Sequence, residues 1–414
     1  YLKSRGLGDV YKRQVLHEYE YIERKPAMNS LIRLCSLLLV FSTACAQITP
    51  SPTPSSTGSW VEEDFRFNYG DATIFSIVTL PDHPGPHPAV VIIDGAADIE
   101  TRSRNGVSSN YFKDLARKLA MEGIAAVRYD PPGVGSSTGS IVFDSLEYRT
   151  DEALAVLDAM RSRNDIQPDR VGFWGVSQGG WVIAMAAAER PDDVAFIISV
   201  SGSGVSVVEQ QIFSIEAQSR ADGLAEDDIA RAVLFGRTLI DWQLSEPIYQ
   251  EENMEASHAL PASGPLKEFV DLVYDPGEIT MSESLQQGIS IMKTVMDEAW
   301  AKYLYLEELY IPQLENTPPE QLEAIRSIVG ETLLNDPSGY MTRVECPVLA
   351  IFGEKDVLQP SEKSAALYEK YLAEAGNQEY KIVILPGAGH SIGLFTQGYW
   401  EALSGWLTEV VLPQ

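Results

Sequence analysis

The chain has 414 residues, 45% of them hydrophobic, enough to bury a sizeable core. Its 59 acids outnumber 31 bases, for a net charge of −28. An acidic surface of that size argues against electrostatic binding of nucleic acid or of anionic membranes.

The chain starts at Tyr1, and its first methionine is Met28. Residues 1–27 read as an extraneous segment, and residues 28–45 as a signal peptide. Arg33 is the basic flank, and LCSLLLVFSTA is an apolar run too short to span a bilayer. Two processing readings fit STACAQ. Cys45 resembles the lipidated cysteine of a lipobox, although Ser42 departs from the aliphatic residue usual there. Alternatively, Ala44-Cys45-Ala46 is a site for cleavage after Ala46. Residues 46–60 are rich in Pro, Ser and Thr and read as a tether, which favours the anchored form. Either way the expectation is export to the periplasm or cell surface, and in the first reading a lipid at Cys45 is the sole membrane attachment.

From there, β-type runs and amphipathic helices alternate. FRFNYG and ATIFSIVTL read as an opening hairpin. Strands follow at 89–95, 124–130, 170–177 and 194–202, with helices at 110–123, 145–163 and 178–190 between them. Continuous Val/Ile runs separated by helices predict a mostly parallel central sheet with helices on both faces. This first part of the core is residues 61–204.

Strand patterns then cease. Residues 205–340 contain helix-like segments and loops, with 25 acids against 7 bases, a net of −18. Such a stretch inside a regular α/β pattern reads as a large acidic helical cap inserted after strand six. Its Trp242, Trp300, Tyr303, Tyr305, Tyr310, Met281, Met292 and Met296 sit at helical spacings that suit the cap's own core. As a group they could instead line an apolar pocket. The second part of the core, residues 341–414, resumes with CPVLAIFG, a helix, YKIVILPG and a last helix.

Gly175-Val176-Ser177-Gln178-Gly179 lies where a strong strand gives way to a strong helix. G-x-S-x-G alone is weak, but this is the context of a nucleophile elbow. A one-residue turn forces the serine into a strained backbone conformation, and side chains two residues to either side would strike the turning chain. Hence Gly175 and Gly179 flank Ser177.

A serine hydroxyl needs a base, and the base needs an orienting carboxylate. Of five histidines, only His390, in VILPGAGHS, follows the last strand. His17 is in the extraneous segment, His83 and His87 precede the elbow, and His258 is in the insertion. Asp356, in IFGEKDVLQP, follows the preceding strand, with Glu354 the near alternative. The pair His83 and His87 has prolines between its members and no flanking ligands, so it reads as a solvated turn, and no metal is expected. Cys346 reads as a small buried hydrophobe.

Together GVSQG, GEKDV and GAGH resemble the α/β-hydrolase superfamily, over about residues 62–204 and 341–414. The resemblance implies the α/β-hydrolase fold, with Ser177 as nucleophile, His390 as general base and acid, and Asp356 as orienter. It also implies an oxyanion hole from the backbone N–H groups of Gln178 and Ala96, and no cofactor. The loop Asp94-Gly95-Ala96-Ala97-Asp98 departs from the pattern, with Asp94 where histidine is common. An aspartate there would repel a developing oxyanion unless paired, and Arg102 and Arg104 are candidate partners. The expected function is cleavage of a carboxylic ester in a small-molecule substrate through an acyl-enzyme. The alternatives are a peptidase of the same fold and a catalytically dead surface-binding lipoprotein.

Overall fold

The computed structural model describes residues 59–95, 106–139, 145–244, 246–261, 263–316 and 329–412. The signal-peptide reading, the tether up to residue 58 and Cys45 lie outside them, as do Ala96, Arg102 and Arg104.

Among the described residues, eight strands form one sheet: β1 (Trp60–Tyr69), β2 (Ala72–Pro81), β3 (His87–Ile93), β4 (Ala125–Tyr129), β5 (Ile166–Val176), β6 (Ile197–Val200), β7 (Val348–Gly353) and β8 (Tyr380–Leu385). Their spatial order is β1-β2-β4-β3-β5-β6-β7-β8. β2 runs antiparallel to both neighbours, and every pair from β4 onward is parallel. β3, β4, β6 and β7 are buried along their whole length, which is why their sequences are mainly apolar. β1, at an edge, alternates between half-buried and exposed residues over most of its length.

The period of two divides β3 between the two faces of the sheet. Ala89, Val91 and Ile93 join one apolar cluster with residues of α2 (Leu146–Arg161) and α3 (Gly179–Glu189). Val90 and Ile92 join the opposite cluster, built on α1 (Asn110–Met121) and α12 (Tyr399–Val410). α1 contributes Phe112, Leu115 and Leu119 to that layer, each stabilising the fold by about 1.5–3 kcal/mol. Ser109 caps α1 and Ser145 caps α2, each accepting a backbone N–H with its hydroxyl.

From β3 the chain crosses by α1 to β4 on one side, then by α2 to β5 on the other. The strand order reverses there, at the carboxyl ends of β3 and β5, the position at which open α/β sheets generally bind ligands. The Ser177 turn follows β5 directly.

Among the described residues, the α-helices between β6 and β7 are α4 (Val207–Ala221), α5 (Glu226–Gln243), α6 (Gln250–Ser257), α7 (Pro265–Tyr274), α8 (Met281–Val295), α9 (Ile311–Asn316) and α10 (Ser338–Met341). Helix-like apolar spacing runs over residues 282–309, but α8 stops at Val295. Asp297 and Glu298 come next, and carboxylates oppose the negative end of a helix dipole. The chain continues through a 3₁₀ turn (Ala301–Leu304) and through Tyr305 at φ 52°. Trp300, Tyr303, Tyr305, Tyr310 and Met292 are buried in this region, whereas Met281 and Met296 are exposed. Phe235 stacks on Phe269 with ring centroids 4.6 Å apart. α11 (Ser361–Glu374) and α12 complete the chain. Among the described residues, no helix is long and apolar enough to cross a membrane.

Candidate active site

The turn after β5 holds Ser177 at φ 53°, a left-handed conformation that L-residues adopt only when the surroundings enforce it. The Ser177 N–H donates to the carbonyl of Val200 at the end of β6, and the Ser177 carbonyl accepts from Gly180 N–H. The flanking glycines are required sterically. A Cβ on Gly175 would lie 2.5 Å from the Gly179 carbonyl oxygen, and one on Gly179 would lie 2.7 Å from that of Asp94.

His390 sits five residues beyond β8, in a loop pinned to its neighbours. Its carbonyl accepts from the Ser201 hydroxyl at 2.8 Å, and Tyr111 Oη donates to the carbonyl of Ile392 at 3.1 Å. His390 Nδ1 lies 2.8 Å from Asp356 Oδ2, and Nε2 lies 3.0 Å from Ser177 Oγ. A carboxylate can only accept, so it fixes the imidazole proton on Nδ1 and leaves Nε2 bare toward the serine hydroxyl. Asp356 is itself held by two backbone donors, since its Oδ1 accepts the N–H groups of Leu358 and Gln359 at 2.8 and 2.9 Å. All three side chains are buried. Glu354, the alternative carboxylate, instead accepts the Gly387 N–H at 2.7 Å and bridges the two loops.

The end of β3 closes in from the other side. A Cβ on Gly95 would lie 2.8 Å from Ser177 Cβ. Asp94 is paired, but with a residue that its sequence neighbourhood does not single out. Arg149, buried in the first turn of α2, donates from Nη2 to Asp94 Oδ1 at 2.8 Å and to the Asp94 carbonyl at 2.6 Å. Its Nη1 donates to Gln178 Oε1, one residue past Ser177. Arg149 thus offsets the charge of Asp94, while Arg102 and Arg104 lie outside the described residues. Arg149 lies between Tyr148 and Thr150 on a helix, and nothing in its local pattern distinguishes it from a surface arginine.

A family model described as alpha/beta hydrolase fold matches residues 88–396, well over half of the chain. The chain belongs to the alpha/beta hydrolase family. Over 146 residues it is 29% identical to the mitochondrial palmitoyl-protein thioesterase ABHD10 of Rattus norvegicus, covering 33% of this chain and 45% of that protein. The chain thus spans less than half the length of that relative. It is 20% identical over 307 residues to an uncharacterized 31.7 kDa protein of Escherichia coli, covering 74% and 84% of the two chains. Among solved structures, the proline iminopeptidase of Mycobacterium smegmatis superposes with a TM-score of 0.48 at 18% identity, covering 84% of this chain and 98% of that one.

The other singled-out residues take no part in this alpha/beta hydrolase site. His83 and His87 meet edge to face, with ring centroids 4.8 Å apart. Among the described residues, no three His, Cys, Asp or Glu side chains gather as metal ligands. Cys346 is buried just before β7, and that burial pushes its thiol up to about 12.

Proposed function

We propose that this alpha/beta hydrolase is a serine hydrolase that cleaves a carboxylic ester through an acyl-enzyme. The observation that carries the reading is the hydrogen-bonded line Asp356–His390–Ser177, with the serine on a left-handed turn. Ser177 Oγ attacks the carbonyl carbon while His390 Nε2 takes its proton. The carbonyl π electrons move to the oxygen, and the N–H of Gln178 stabilises that charge. The resemblance assigns the second donor to Ala96. Collapse of the tetrahedral intermediate expels the alcohol, which takes the proton back from His390. Water then repeats the sequence on the acyl-enzyme. Asp356 holds the ring in the tautomer that the first step requires and stabilises the imidazolium that follows.

Relatives include a palmitoyl-protein thioesterase and, at 25% identity over 150 residues, the esterase EstD of Thermotoga maritima. Both names describe acyl transfer from oxygen or sulfur to water, which is the chemistry proposed here. The test is turnover of p-nitrophenyl butyrate, an acyl thioester and an aminoacyl anilide by the same preparation. Ester turnover that exceeds anilide turnover is expected. Turnover of the anilide alone would replace the esterase with a peptidase, and turnover of none would remove the reading.

Export remains part of the proposal and rests on residues 28–46 alone. Metabolic labelling with an alkyne fatty acid tests the anchor. A label lost in Cys45→Ser supports it, and an unlabelled, cleaved wild-type chain favours cleavage after Ala46.

A further inference from the structure

We propose that Arg149 is a positioning residue for oxyanion stabilisation, joining the two backbone segments that flank Ser177. The inference rests on the serine-hydrolase reading above. One guanidinium engages both segments: Nη1 donates to the Gln178 side chain, and Nη2 donates to the carbonyl and carboxylate of Asp94. Gln178 follows the serine on the α3 side, and Asp94-Gly95 follows β3.

The placement is poor for stability alone. A cation in the first turn of a helix opposes the helix dipole. Burying a charge is costly even when paired, and an apolar residue of similar volume serves a core as well or better. What the guanidinium supplies is geometry and charge together. Its planar fork fixes two acceptors in direction, which a flexible point charge does not. Fixing the Gln178 side chain fixes the start of α3 and the direction of the Gln178 N–H. Pairing with Asp94 also cancels a carboxylate at the end of β3, where negative charge would develop on the substrate. Arg149 itself touches neither substrate nor reacting atoms.

Arg149→Met keeps the volume and removes the fork and the charge. With p-nitrophenyl butyrate, kcat is expected to fall about 10²–10³-fold, the loss seen when one oxyanion donor is removed. KM should change less than threefold. Affinity for an alkyl trifluoromethyl ketone, which forms a hemiketal oxyanion on the serine, should fall in step with kcat/KM. Adding Asp94→Asn to Arg149→Met should recover at least fivefold in kcat by removing the negative charge that Arg149 offsets in the wild-type chain. An unchanged kcat, or a lower kcat with unchanged ketone affinity, would overturn the proposal. If Arg149→Met does not fold by circular dichroism, Arg149→Lys takes its place. It keeps the charge without the fork, so at least a tenfold loss of kcat is expected, and wild-type kcat would overturn the proposal. Fluorophosphonate labelling of the wild-type chain runs alongside, because a failure to label overturns the hydrolase reading itself rather than the role of Arg149 alone.

Discussion

The hydroxyl of Ser201 donates a 2.8 Å hydrogen bond to the backbone carbonyl of His390. Ser201 follows β6 and, like Ser177, has a left-handed backbone, at φ 50°. Its own N–H donates to the carbonyl of Ile351 in β7, so the bond ties the histidine loop to the carboxyl ends of β6 and β7. Ser201→Ala should lower kcat about 3- to 10-fold with KM unchanged, and should destabilise the fold by about 1 kcal/mol, the net worth of a typical buried hydrogen bond. Steady-state kinetics and urea denaturation check the two parts separately.

Asp356 and Glu354 stand two residues apart after β7 and should differ sharply. Asp356→Asn leaves the shape but no longer demands a proton on Nδ1, so kcat should fall about 10³–10⁴-fold. Glu354→Gln should leave kcat within about threefold, because among the described residues the Glu354 carboxylate accepts the loop N–H of Gly387 rather than reaching His390. Ester turnover by the two variants separates the orienting carboxylate from the bridging one.

Glycines at two places predict opposite signs. Gly179→Ala would put a methyl 2.7 Å from the Asp94 carbonyl oxygen and 2.9 Å from that of Ile93. Backbone on both sides must move, at about 1–3 kcal/mol or more. A methyl added at Gly405, inside α12, would meet no neighbour within 4 Å, so Gly405→Ala should stabilise by about 0.5–1 kcal/mol. Thermal denaturation of the two variants reads the signs directly.

Cys346 should be inert in the folded chain. Its thiol, pushed up to about 12 by burial, stays protonated at pH 8. Iodoacetamide should leave it unmodified under native conditions and modify it once guanidinium unfolds the chain. Modification of the native protein would contradict the buried placement.

Much of this molecule is legible in its sequence because its core strands are buried on both faces. Such strands write unbroken Val and Ile runs, and capped amphipathic helices separate them. The elbow is legible because a left-handed serine demands Gly175 and Gly179. Chain order then leaves His390 as the one histidine beyond the last strand. Asp356 and Glu354 cannot be separated in the same way, since both follow β7 and only the loop's fold decides which one reaches Nδ1. Arg149 is invisible in the sequence for a related reason: its partners lie 55 and 29 positions away. The break after α8 shows the third limit, where apolar spacing continues past the point at which acidic residues end the helix.

The central claim is that Ser177 is an activated nucleophile. A fluorophosphonate probe with tandem mass spectrometry of the labelled peptide tests it most directly. One stoichiometric label on Ser177 is expected, abolished by Ser177→Ala and strongly slowed by His390→Ala. A folded chain that takes no label, or takes it on another serine, would contradict it.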